Sequence, residues 1–426
     1  MNPTMTRREL MRRSAATALG VAMQTSGAVA EELNGGRKAK LVLLVLRGGM
    51  DGLGTLAPTD DPSYVADRAM ELKIGRDGQT EGIPVQGGPG GFDWRLHKEA
   101  KGLAELYRSG RLGFVHAVGT RDVTRSHFVA QELLERGIGS LTEAGRIKGG
   151  WITRWLAGEP GTQLAWANGS IIPEALSDHP DVLCAPNLRD GFRPPGGTTG
   201  ESVISAAISE PKRRKSSPGT AETAYAEAAT KALRSMRSLD DALRTGDGKI
   251  PPYLPSQGVS YDDSPIGKDL STVAQLLRIG KPNIRAFCVS MAGWDTHENQ
   301  SGRLSSLVGQ LSRAVSSFVS DVEAVPGGVL LIATSEFGRR LRSNKSNGTD
   351  HGRGGLAFAV GPGVAGGRIH GKWPGLDETS LDGGVDLRVA TDARAIFAEA
   401  LAGPLGGRAV DEIFPGLRPE RIGLFV

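Results

Sequence analysis

The segment Lys40–Leu46 reads Lys-Leu-Val-Leu-Leu-Val-Leu, with no polar residue at alternate positions. A strand with one wet face would alternate, so a run this uniform requires burial on both faces, as inside a parallel sheet covered by helices. Runs of the same kind recur at 112–118, 284–290, 329–335 and 356–360. Between them, apolar residues fall at helical spacing over 99–107, 128–136, 221–243, 270–279, 304–322 and 392–401. Strands alternating with helices predict an α/β fold: a mainly parallel sheet with helices on both faces. With 426 residues, 39% of them hydrophobic, the chain has enough apolar content for one large domain.

The N-terminus is built differently. Residues 1–30 carry the pair Arg7-Arg8, a mildly apolar stretch over 14–23 and Ala28-Val29-Ala30, a small-residue cleavage site. A twin-arginine pair before a weakly hydrophobic core predicts a Tat export signal, and the stretch is too short and too rich in Ala, Gly and Thr to be a membrane span. Its removal takes away four arginines and one glutamate, which brings the formal charge of +4 close to neutral. That leaves no electrostatic case for a nucleic-acid partner. The expectation is a periplasmic or secreted protein of one domain, residues 31–426, with the charged Pro/Ser-rich stretch 210–220 as a surface linker. Cys184 and Cys288 lack metal-site or redox spacing. An exported location permits a disulfide between them, although Cys288, inside the apolar run 284–290, reads as a small core residue.

In sheets of this class, ligands bind in the crevice at the carboxyl ends of the strands. The residues just past each strand therefore hold the functional information. After the first strand comes Arg47-Gly48-Gly49-Met50-Asp51-Gly52, and the run 112–118 leads through a polar loop to Ser126-His127 at a helix start. The run 284–290 leads to Gly293-Trp294-Asp295-Thr296-His297-Glu298-Asn299, and 329–335 to Glu336-Phe337-Gly338-Arg339. A further loop carries Gly348-Thr349-Asp350-His351-Gly352-Arg353. Acids and imidazoles thus converge on one sheet edge from four or five segments.

Carboxylates and imidazoles are ligands for Zn²⁺ or Mn²⁺. A pair of such ions ~3.5–4 Å apart would clamp both reacting oxygens of a phosphoryl or sulfuryl ester. Ser126 is placed as a nucleophile, because a helix N-terminus offers free N–H groups and the positive end of a dipole; its structural alternative is a helix N-cap. Asp51 could equally make a turn before Gly52, and Glu336 after a long apolar strand is costly unless paired or metal-bound. His116, within a strand, reads as a hydrogen-bonded core residue. His97, His179 and His370 are weaker candidates, and the run Gly87-Gly88-Pro89-Gly90-Gly91 lacks the βα setting of a dinucleotide site.

These motifs resemble, in order, those of the exported bacterial family known as domain of unknown function 1501, within the alkaline phosphatase and sulfatase superfamily. The resemblance rests on 46–53, Ser126-His127-Phe128, 293–297, 335–339, 348–352 and Trp373-Pro374-Gly375-Leu376. It implies an alkaline-phosphatase-like fold, Asp51 as a ligand of one metal, Ser126 as nucleophile, and Asp295, His297 and His351 at the other metal. Glu336 stands where the superfamily usually has aspartate. Phe337 stands where it commonly has histidine and cannot bind metal, which weakens one metal site. Asp295 and His297 are closer than the usual four-residue step, so Asn299 is an alternative counterpart of that histidine.

The leading expectation is an exported hydrolase of small anionic phosphate or sulfate esters, with one or two divalent ions held by Asp51, Asp295, His297, Glu336 and His351. Ser126 would attack, and Arg47 or Arg353 would bind the anion. A different class of function is a non-catalytic binding or assembly protein on the same fold, which Phe337 favours. A serine hydrolase without metal finds no G-x-S-x-G elbow in support.

Overall fold

A computed structural model describes residues 38–160, 164–189, 191–192, 197–213, 221–407, 410–418 and 420–426. The export signal expected at 1–30 lies outside the described residues, as do 214–220 of the expected linker. Residues 210–213 close the helix Gly197–Arg213 rather than beginning a linker.

Twelve strands are described, numbered in chain order: β1 Lys40–Leu46, β2 Leu56–Pro58, β3 Ile83–Val85, β4 Trp94–Leu96, β5 Leu112–Gly119, β6 Leu164–Asn168, β7 Val182–Ala185, β8 Ile284–Met291, β9 Val329–Thr334, β10 Gly355–Val360, β11 Ile369–His370 and β12 Thr391–Asp392. The main sheet has the order β11-β5-β10-β9-β1-β8-β6-β7, with β12 also paired to β5. Strand β1 lies between β8 and β9, parallel to both, and β6 and β7 continue the parallel set beyond β8. Only β10 runs the other way, antiparallel to β9 and to β5. Strands β2, β4 and β3 form a separate small antiparallel sheet.

The reason β1 is uniformly apolar is visible in its neighbours. Val42, Leu44 and Leu46 face one core with the helices Lys101–Arg108, Pro265–Ile279 and Gln300–Asp321. Leu41, Leu43 and Val45 face a second core with the helices Trp151–Ala157 and Ala393–Ala402. The strand is thus buried on both faces, and every residue from Leu41 to Leu46 is at most 3% exposed. The mainly parallel α/β sheet with helices on both faces is as expected.

The reversed β10 matters most for the site. Strands β1, β5, β8 and β9 all point their carboxyl ends at one edge of the sheet, and β10 presents its amino end there. The loop that enters β10, with Asp350, His351 and Arg353, therefore meets the loops that leave the other four strands. Cys184 and Cys288 are both free thiols.

Candidate metal centre

The loop after β1 makes its turn at Gly48 and Gly49, where φ is +118° and +70°. A Cβ on Gly48 would stand 2.4 Å from the backbone nitrogen of Asp295, and one on Gly49 would stand 2.6 Å from the Phe337 ring. Only glycine lets the loops after β1, β8 and β9 approach this closely. Arg339, 1% exposed, ties them together. Its guanidinium donates to the carbonyls of Gly48, Gly49, Trp294 and Thr349 and to the Asp295 carboxylate.

Around Asp295 three imidazoles converge. Asp295 Oδ1 lies 3.1 Å from His297 Nε2, 3.2 Å from His351 Nε2 and 3.4 Å from His127 Nε2. His297 Nε2 and His351 Nε2 are themselves 2.8 Å apart. The ligand atoms of His127, Asp295 and His351 all lie within 4.8 Å of one another, a set that could hold one ion, and His297 stands beside it, outside that set. Asp295 is exposed and the imidazoles are half-buried, which leaves the cluster open to solvent.

The other ring nitrogens fix the protons. His127 Nδ1 donates to Glu336 Oε1 at 2.7 Å, and His351 Nδ1 donates to the Arg125 carbonyl at 2.9 Å. His297 Nδ1 faces Asp350 Oδ1 at 3.5 Å. With Nδ1 of His127 and of His351 turned to acceptors, these two neutral rings aim their Nε2 lone pairs at Asp295 Oδ1, and His297 Nε2 can donate to His351 Nε2. Buried His127 Nε2 has no hydrogen-bond partner. Metal-binding histidines are held in this way, the far nitrogen fixed by a carboxylate or a carbonyl.

The electrostatics follow from these contacts. Burial opposes the charged form of Glu336, yet donors from His127, Gln131 and the Gly48 amide outweigh it and hold the carboxyl below its ordinary range. Burial likewise opposes the Asp295 charge, and Arg339 with the nearby imidazoles overcomes it, bringing Asp295 to about 2. The hydrogen bond to Glu336 raises His127 above the usual imidazole value, while burial lowers His351. Both carboxylates are therefore ionised wherever an imidazole can be neutral.

Of the residues singled out from sequence, the structure brings Asp295, His297 and His351 together. Glu336 joins them from behind, through His127 Nδ1, and is fully buried. Asp51 does not join them. Its carboxylate caps Gly54, pairs with buried Arg68 and accepts from Gln300. Asn299 is exposed at the start of the helix Gln300–Asp321 with a φ of +46°, so His297 is the residue in the cluster. Ser126 is exposed at the start of the helix His127–Arg136, and its side chain makes no capping bond. Arg47 is engaged by Glu135, Gln131 and Ser290. Arg353 is engaged by Asp382 and the carbonyls of Arg121 and Asp122. Phe337 forms a wall, its ring 4.8 Å from His127 and 5.0 Å from His351. His116 is a buried core residue that donates to the Leu56 carbonyl and accepts from the Ala117 amide.

Two residues of the centre were not singled out from sequence. His127 sits at a helix start on the carboxyl edge, the same positional signal that drew attention to Ser126. Nothing local marks Arg339, because its partners come from three other loops.

A family described as "Protein of unknown function (DUF1501)" matches residues 254–406. That span contains Asp295, His297, Glu336, Arg339 and His351, and excludes Asp51, Ser126 and His127. No curated protein matches the chain by sequence. Among solved structures, it is similar to the C-terminal periplasmic domain of EcEptC from Escherichia coli in complex with Zn, at 9% identity and TM-score 0.34, covering 77% of this chain and 73% of that one. It is similar to Streptococcus pyogenes phosphoglycerol transferase GacH in complex with sn-glycerol-1-phosphate, at 8% identity and TM-score 0.34, covering 92% and 82%. It is also similar to alkaline phosphatase from the Antarctic bacterium TAB5, at 12% identity and TM-score 0.35, covering 88% and 100%.

Proposed function

We propose that the protein is an exported, metal-dependent hydrolase of phosphate or sulfate esters, working with one divalent ion, zinc or manganese, at His127, Asp295 and His351. The observation that carries this reading is that His127, Asp295 and His351 bring their ligand atoms within 4.8 Å of one another, with the far nitrogens of both imidazoles turned to acceptors. The reading takes a single ion because Asp51, the other ligand expected from sequence, is neutralised by Arg68 and accepts from Gln300. Phe337 adds no donor.

A bound ion supplies a Lewis acid that polarises an ester oxygen. The chain supplies the rest. Ser126, next to His127, presents an exposed hydroxyl that would attack the phosphorus or sulfur and displace the ester's alcohol, which leaves with the hydroxyl proton; water would then release phosphate or sulfate and restore the serine. It does so at the positive end of a ten-residue helix, where an anionic ester is favoured. Glu336, fixed by Gln131, Ser335 and the Gly48 amide, holds the His127 ring in place. Arg47 steadies Gln131 and Glu135 rather than meeting the substrate.

A second reading is a metal-stabilised binding protein. It is favoured by Phe337, which lines the site and brings no donor.

Elemental analysis of wild type and His351→Ala, purified without chelator, tests the assignment. One zinc or manganese per chain, lost in the variant, is expected. Hydrolysis of p-nitrophenyl phosphate or sulfate that disappears in Ser126→Ala would select the enzyme over the binding protein. A folded wild type without metal would overturn the reading.

A further inference from the structure

The amino edge of the sheet carries a second concentration of charge, opposite the metal centre. Lys40 opens β1, and Arg285 is the second residue of β8. The metal centre lies beyond the other end of these strands, ~20 Å away for a seven-residue strand at about 3.3 Å per residue. A cavity of about 480 Å³ opens at the amino edge, lined by Lys38, Lys40, Arg285 and Glu159, with Leu277 and Val325 as an apolar wall. Its volume falls in the range of small-molecule sites, ~300–1,000 Å³.

The charges in this cavity do not balance. The Glu159 side chain, only 7% exposed, lies 3.0 Å from Lys38 Nζ and 3.9 Å from Arg285 Nη2. Lys40 has no carboxylate partner among the described residues. Its ammonium donates to Asn283 Oδ1 and, at 2.9 Å, to the Ile284 carbonyl. Arg285 is buried and fixed by the carbonyls of Lys38, Ala39 and Leu405, with its guanidinium 5.3 Å from the centre of the Trp155 ring. Three positive groups thus face one negative, an excess of two. Burial, and then the nearby Arg285, lower the Lys40 amine to about 8. Partly buried like charges disfavour one another, and an anion bound among them offsets that cost. An ammonium has three donors. Lys38 spends two on the Glu159 oxygens and Lys40 two on neutral oxygens, so each keeps one for a ligand.

We propose that this cavity binds an organic phosphate, with the phosphoryl group between Lys38 and Lys40, Arg285 supplying fixed positive charge, and the carbon body against Leu277 and Val325. A phosphomonoester carries about −1.5 to −2 at pH 7 and matches the excess, whereas a monocarboxylate leaves half of it unmatched. The site goes beyond the metal-centre reading and does not rest on it, since the two share no residue.

The test is calorimetric titration of the full chain with phenylphosphonate, whose C–P bond an ester hydrolase leaves intact, and with inorganic phosphate. Either probe can also meet the metal centre, so the comparison is made in His351→Ala, with and without Lys40→Met. His351→Ala is expected to keep one phenylphosphonate site per chain. Adding Lys40→Met should weaken that site at least ~10-fold, the effect of losing one hydrogen bond to a charged group. Inorganic phosphate should bind more weakly than phenylphosphonate, because it leaves the apolar wall unused.

Loss of all binding in His351→Ala would place the probe at the metal centre and overturn the inference, as would an affinity indifferent to Lys40→Met. Phosphate bound as tightly as phenylphosphonate would overturn the assignment to an organic ligand. None of these results touches the metal assignment, which is read from metal content. Should Lys40→Met fail to fold, Lys38→Met, at a side chain 44% exposed, makes the same comparison.

Discussion

Glu336→Gln separates a residue that holds a metal from one that holds a ligand. The fully buried carboxylate accepts from the Gly48 amide at 2.8 Å, His127 Nδ1 at 2.7 Å and Gln131 Nε2 at 2.9 Å on one oxygen, and from Ser335 Oγ at 3.0 Å on the other. Glutamine keeps the shape and one acceptor oxygen but removes the charge. A hydrogen bond to a charged group contributes about 1.5–3 kcal/mol and a neutral one about 0.5–1.5, so three weakened bonds should cost the metal-free protein ~3 kcal/mol. His127 also loses the carboxylate that fixes its tautomer and raises its basicity. Metal affinity should therefore fall ~10–100-fold, or about 1.4–2.7 kcal/mol. Chelator competition measures the second quantity, and urea denaturation of metal-free protein the first. Unchanged affinity would refute the orienting role. Complete loss of metal from a folded variant would also refute it, because it would make Glu336 a direct ligand.

Two further outcomes follow from the same structure. Asp51→Ala leaves buried Arg68 without its carboxylate, so it should destabilise the protein by about 3–5 kcal/mol in denaturant titration and leave metal stoichiometry unchanged; loss of metal from the folded variant would return Asp51 to the ligand set. Burial lowers His116 to about 4 from an ordinary imidazole value of 6.5. The stabilisation from keeping this ring neutral is complete above pH 6.5 and is lost as pH falls towards 4, amounting to about 3 kcal/mol over that window. Denaturation midpoints across the window should fall less steeply in His116→Phe than in wild type, whatever the variant's absolute stability, and parallel slopes would contradict the assignment.

How much of this could be read from the sequence depends on how local each cause is. Double burial of β1 is written into the strand itself, because a residue pointing to either face must be apolar. The edges of the sheet are harder. Trp166 and Leu183 lie on short strands, β6 and β7, whose apolar stretches are too brief for periodicity to distinguish from loop. The direction of β10 is a property of its two partners, and nothing within 355–360 signals it. Position after a strand singled out Asp295, His297 and His351, which the fold brings within 3.2 Å of one another. The same cue chose Asp51, which is equally well placed along the chain. What removes it is Arg68, seventeen residues further on, together with Gln300, both of which reach Asp51 only after folding.

The roles of Glu336 and Arg339 show why residue type alone could not finish the assignment. A carboxylate at the end of an apolar strand must be paired or bound to metal, and both outcomes satisfy that demand equally. The choice is made by Gly48 and Gly49, which allow the β1 loop to close over the strand ends until the Gly48 amide reaches Glu336 and the Gly48 and Gly49 carbonyls reach Arg339. That closure occupies Glu336 with His127, Gln131 and an amide, and it leaves Arg339 with no acceptor of matching charge except Asp295. Of the five ligands expected from sequence, two are thus withdrawn behind other side chains, and the third carboxylate is shared with a buried cation. The reversed strand β10 delivers His351 to the same edge as the helix that starts at His127, so its ring meets His127 on one side and His297 on the other, each from a separate connection of the sheet.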